Sequence, residues 1–107
     1  MVKSESEVLK IVEHYLEYLK KEFRVTKVVL FGSYAKGNAN EDSDIDIAIE
    51  SPDYSDNYLE EWQRLNRLVW RSGVDLILQP RPLYPLMDEL LMKEIVGNGK
   101  IIYQEDH

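Results

Sequence analysis

Val8, Ile11, Val12, Tyr15, Leu16 and Leu19 recur at helical spacing with Glu and Lys between them, which predicts a first helix over Ser4 to Phe23. Ser4 and Glu7 have the spacing of a capping box at its start. Val25 to Phe31 is apolar and rich in β-branched residues, a buried strand that Gly32-Ser33 halts. A short helix follows from Tyr34 to near Gly37, and Asn38 to Ser43 is polar and turn-forming. From Asp44 to Glu50 the period becomes two, with Ile45, Ile47 and Ile49 on one side and Asp44, Asp46 and Ala48 on the other. Asn57 to Arg71 predicts a helix with Leu59, Trp62, Leu65 and Val69 along its apolar stripe. Val74 to Leu78 predicts a third strand, which Pro80 and Pro82 keep from running on. Leu86 to Val96, with Leu86, Leu90 and Leu91 inward and Gly97-Asn98-Gly99 closing it, predicts a last helix. Ile101 to Tyr103 is a candidate edge strand, and Gln104 to His107 reads as tail. Helices alternating with strands predict an α/β or α+β layer of helices packed on a sheet.

Composition narrows the chemistry. The chain has 107 residues, 44% of them hydrophobic and 31% charged, a balance that fits one globular domain over residues 1–107 rather than disorder. The longest apolar run near the start is too short for a membrane span, and no secretory segment opens the chain, so the expected setting is the cytoplasm without a membrane partner. The absence of cysteine excludes thiolate catalysis and disulfides, and the only histidines, His14 and His107, are too far apart for a metal motif. A net charge of −7 argues against broad nucleic-acid binding. Exposed aromatics, Tyr54 and Tyr58 among them, suggest a contact surface for a homo- or hetero-oligomer.

The stretch with most chemical content is Phe31-Gly32-Ser33-Tyr34-Ala35-Lys36-Gly37, followed by Ser43-Asp44-Ile45-Asp46. A helix start after Gly32 offers unpaired N–H groups to an anion, and Gly32 lets a phosphate approach without a Cβ in its way. Ser33 adds a hydroxyl, and Lys36 stands one turn further in. Asp44 and Asp46 share a strand face with Cα atoms roughly 6.6 Å apart at the usual rise. Two like charges on one face are unfavourable unless a cation lies between them, and oxygen-only ligands suit Mg²⁺. Asp75 lies in the apolar run Val74-Asp75-Leu76-Ile77-Leu78, where an unpaired buried charge would be costly. It either faces solvent or, on a neighbouring strand, joins the other two acids.

Gly32-Ser33, ten residues, then Asp44-Ile45-Asp46 resembles the signature of the DNA polymerase β-like nucleotidyltransferases. The fuller FGSYAKGNANEDSDIDIAI resembles their minimal nucleotidyltransferase (MNT) branch, whose members are commonly paired with a HEPN-type RNase toxin. The resemblance implies a mixed three- to four-stranded sheet with helices on it. It implies Gly32, Ser33 and Lys36 as nucleotide-binding residues, and Asp44, Asp46 and Asp75 as catalytic ligands of two Mg²⁺ ions, with ATP as substrate. At position 36 the branch often has arginine; lysine keeps the charge but not the two-pronged geometry. Larger relatives carry an acceptor-recognising domain for which 107 residues leave no room, so a second copy or another protein is expected to complete the site. The resemblance points to an antitoxin that attaches AMP to a toxin hydroxyl, a tyrosine's. Two alternatives stand beside it: an antitoxin that acts by binding alone, and a small-molecule, antibiotic-type nucleotidyltransferase.

Overall fold

The computed structural model describes residues 2–84, 93, 95 and 97–105. Its elements are α1 (Glu5–Leu19), β1 (Lys27–Phe31), α2 (Ser33–Lys36), β2 (Ile45–Glu50), α3 (Tyr58–Ser72), β3 (Leu78–Pro82) and β4 (Lys100–Gln104). The strands form one mixed sheet in the order β3-β2-β1-β4. β1 runs antiparallel to β2 and β4, and β2 runs parallel to β3.

The predicted capping box is present on α1: the Ser4 hydroxyl accepts from the Glu7 N–H, and the Glu7 carboxylate accepts from the Ser4 N–H. Val8, Val12, Tyr15, Leu16 and Leu19 bury the inner face of this helix against the sheet and α3. Tyr15 fixes the two helices together, its buried hydroxyl donating to the Leu65 carbonyl at 2.7 Å. On α3 the buried residues are Glu61, Leu65, Leu68 and Val69, whereas Leu59 and Trp62 of the predicted stripe are exposed. Glu61 can be buried because its carboxylate accepts from the Ser55 N–H at 3.0 Å and has Arg64 beside it. Tyr54 is also drawn in: it is half-buried, donates to the Ile49 carbonyl at 2.8 Å and packs on Phe23 and Tyr84.

Ile45, Ile47 and Ile49 fill the helix-covered side of β2, as the alternation predicts. The opposite side is not simply polar. Ala48 is fully buried there in a second cluster with Val29, Phe31, Leu83 and Ile95.

The third strand departs most from the sequence reading. It begins at Leu78, not Val74, and runs through both prolines to Pro82. Hydrogen bonds at its two ends, Ile45 N–H to the Ile77 carbonyl and Leu83 N–H to the Ile49 carbonyl, show that odd-numbered residues face β2. Pro80 and Pro82 therefore turn their nitrogens to the open edge, where no N–H is required. Val74 to Ile77 forms the turn before the strand instead, with Leu76 exposed.

Most of the predicted last helix lies outside the described residues; Lys93, Ile95, Gly97 and Asn98 are helical, so it runs past the predicted stop at Gly97. Gln104 and Glu105 are not tail: Gln104 ends β4, and Glu105 pairs with Arg24 while its N–H bonds the Thr26 carbonyl at 2.9 Å. No helix among the described residues is long and apolar enough to cross a membrane.

Candidate active site

β1 delivers the chain to Gly32, whose φ of 73° and ψ of −155° only glycine adopts readily. α2 starts at once, without a side-chain cap on its first turn. Its opening N–H groups thus lack the partner that a Ser, Asp or Asn cap would supply. The half-buried Ser33 has a hydroxyl without a hydrogen-bond partner among the described residues. Gly37, in the left-handed region at φ 79°, closes the helix and releases the chain into the Asn38–Ser43 turn.

That turn returns the chain alongside β1, so that Asp46 becomes the register partner of Phe31, next to Gly32. The approach is close: a Cβ placed on Gly32 would lie 2.5 Å from Asp46 Oδ2. Asp44 is exposed, one residue before β2, and its charge acts on Asp46. Burial raises the Asp46 carboxyl above the usual carboxylate range; the Arg81 guanidinium partly opposes this, and the negative charge of Asp44 adds to it.

Arg81 was not singled out by the sequence. The register sets it opposite Ala48, on the same sheet face as Asp46, and its guanidinium lies 5.6 Å from the centre of the Phe31 ring. The available signal was a lone cation at strand period between two prolines. Lys3 was missed as well, and nothing local marks it. Its N–H donates to the Tyr34 hydroxyl at 3.3 Å, and its Nζ stands 3.4 Å from Asp75 Oδ2.

Asp44 and Asp46 therefore lie together beside Gly32 and Ser33, while Asp75 is held apart. Asp75 is exposed in the turn before β3, where its Oδ1 accepts from the Ile77 N–H at 3.1 Å. The predicted strand position for it is corrected by this turn. Among the described residues no three acids or histidines are grouped to hold a metal. Two carboxylates remain, and Mg²⁺ is commonly held by one or two carboxylates with substrate phosphates and water. Asp44 and Asp46 fit that donor set. Lys36 is exposed at the end of α2. A cavity of about 290 Å³ is lined by Lys3, Tyr34, Gly37 and Lys100 among others, and by neither Asp44 nor Asp46.

Residues 13–107 match the family model described as Polymerase beta, Nucleotidyltransferase. The chain belongs to this family. As a nucleotidyltransferase it is similar to two proteins of Methanocaldococcus jannaschii that share the name "Putative protein adenylyltransferase". One is 45% identical over 97 residues, covering 88% of this chain and 96% of the relative. The other is 32% identical over 100 residues, covering 89% and 98%. Among solved structures, this nucleotidyltransferase resembles the toxin–antitoxin MntA–HpeT in a form with two aspartates replaced by glutamate. The TM-score is 0.57 at 27% identity, covering 92% of this chain and 74% of the other. The resemblance to MNT antitoxins drawn from the Gly-Ser and Asp-Ile-Asp spacing thus holds.

Proposed function

We propose that this nucleotidyltransferase moves AMP from ATP onto a hydroxyl of a partner protein, a tyrosine of a HEPN-type RNase toxin, and so acts as its cytoplasmic antitoxin. The placement of the Asp46 carboxylate against the backbone of Gly32, with Asp44 beside it, carries the reading. It sets an anion-receiving helix start next to a pair of acids, which is what a metal-bound triphosphate requires. The names of the relatives and the toxin–antitoxin assembly of the solved neighbour support a protein acceptor.

In this reading the N–H groups at Ser33 and Tyr34 and the Ser33 hydroxyl donate to the β- and γ-phosphate oxygens, with Lys36 adding charge. Asp44 and Asp46 would hold Mg²⁺, which when bound neutralises charge on the phosphate oxygens and the departing pyrophosphate. The acceptor oxygen forms a bond to the α-phosphorus in line with the breaking bond to the pyrophosphate oxygen. Asp75 would be the third acid, helping to hold one Mg²⁺ and receiving the acceptor's proton. It precedes β3 at the end of the sheet where Ile45 begins β2, and it engages once Lys3 releases it.

Incubation with the partner, ATP and Mg²⁺ should add AMP to the partner, read by mass spectrometry, and Asp44→Ala with Asp46→Ala should abolish the addition. An unchanged mass with the unaltered protein would refute transfer. The pairing of Asp75 with Lys3, away from the other acids, favours a second reading, neutralisation by binding alone. There the doubly substituted protein still protects cells from the toxin; loss of protection with binding retained excludes it.

A further inference from the structure

We propose that α3 is a dimerisation surface on which a second copy of this chain docks antiparallel. Leu59, Trp62 and Trp70 fall on one stripe at 3.6 residues per turn, with the half-buried Asn66 between the tryptophans. They are 57%, 40% and 74% exposed, although each is large and apolar. The stripe runs along the flank of α3 beside β3, where the Asn66 amide donates to the Pro80 carbonyl at 3.4 Å, and an exposed apolar run of this kind is a contact surface in search of a cover.

Charge identifies the cover. Glu60 flanks the stripe near the start of α3, and Arg67 and Arg71 flank it on the same side near the end. All three are exposed, and none makes an ion pair among the described residues. Two copies of the helix related by a two-fold axis perpendicular to it run antiparallel. Glu60 of each copy then faces Arg71 and Arg67 of the other, and Leu59 and Trp62 meet Trp70. The charges meet only in this direction, since in a parallel two-fold pair the flank that carries Glu60, Arg67 and Arg71 would fall on opposite sides of the seam in the two copies. These three residues expose on the order of 400 Å² per copy, taking roughly 250 Å² for a whole tryptophan side chain. Stable interfaces bury about 800 Å² per partner, so the dimer is reversible rather than obligate. Association through α3 is independent of nucleotidyl transfer.

Sedimentation equilibrium of the full chain tests it. The unaltered protein should show a concentration-dependent dimer, and Trp70→Glu should be monomeric with an unchanged circular dichroism spectrum. Glu60→Arg and Arg71→Glu should each raise the dissociation constant by about tenfold, and the two together should restore it. A monomer at every concentration would overturn the proposal, as would charge reversals that fail to compensate one another; in either case the stripe belongs to a different protein.

Discussion

The Asp46 carboxylate rests on Gly32 so closely that no other residue at position 32 leaves it in place, a Cβ there falling 2.5 Å from Asp46 Oδ2. Glycine is thus required twice at one position, by the approach of the acid and by the positive φ. Gly32→Ala should lower the unfolding free energy by about 1–3 kcal/mol from the backbone conformation alone. Displacement of the acid should reduce nucleotidyl transfer by about a hundredfold. Denaturant titration and a transfer assay measure the two effects, and an alanine variant of normal stability would contradict the geometry.

Asp46 supplies a pH prediction. Its carboxyl sits above the ordinary carboxylate range chiefly because it is desolvated, so the folded state binds a proton here more tightly than the unfolded chain does. The associated stability is fully present below the unfolded value and is lost as pH rises through the raised folded value. Without added metal, Asp46→Asn should therefore melt higher than the unaltered protein near neutral pH, while transferring no nucleotide. Melting temperatures from pH 3 to 8 should converge at the acid end; a lower melting temperature for the asparagine variant at pH 7 would reverse the assignment.

Asp75 separates binding from transfer. Because its carboxylate is paired with Lys3 and lies apart from Asp44 and Asp46, Asp75→Asn should leave Mg-ATP affinity within about twofold of normal while slowing AMP transfer. The exposed ion pair contributes little to stability, so melting should barely change. Calorimetric titration with Mg-ATP beside a single-turnover assay reads both, and a large loss of affinity would mean that Asp75 leaves Lys3 as soon as Mg-ATP binds rather than when the acceptor arrives.

The buried Tyr15 hydroxyl joins α1 to α3 through the Leu65 carbonyl. Tyr15→Phe should cost about 1 kcal/mol of stability and leave transfer unaffected. Chemical denaturation would show it, and a drop in transfer rate would mean that the helix pair communicates with the site.

The part of the molecule legible in the sequence is the part fixed by local signals. Ser4 and Glu7 announce the start of α1, Gly32 and Gly37 bracket α2, and three isoleucines at period two define the inner face of β2. Where burial depends on a distant neighbour, the pattern misleads. Trp62 has the more apolar side chain, yet Glu61 is inside, because orientation against the sheet and a donor at Ser55 decide the matter. Val74 to Leu78 has the composition of a strand, but the parallel register with β2 begins only at Leu78. That four-residue shift moves Asp75 out of the acid pair and brings Arg81 beside it. No local pattern reports register between strands more than thirty residues apart.

The two outward prolines of β3 have a consequence for how the molecule meets others. An incoming strand on that flank would find no donors at positions 80 and 82, so the sheet is closed to extension there and cannot template a growing stack of copies. A partner approaching from the β3 flank must grip side chains rather than backbone, and the adjoining helix offers them.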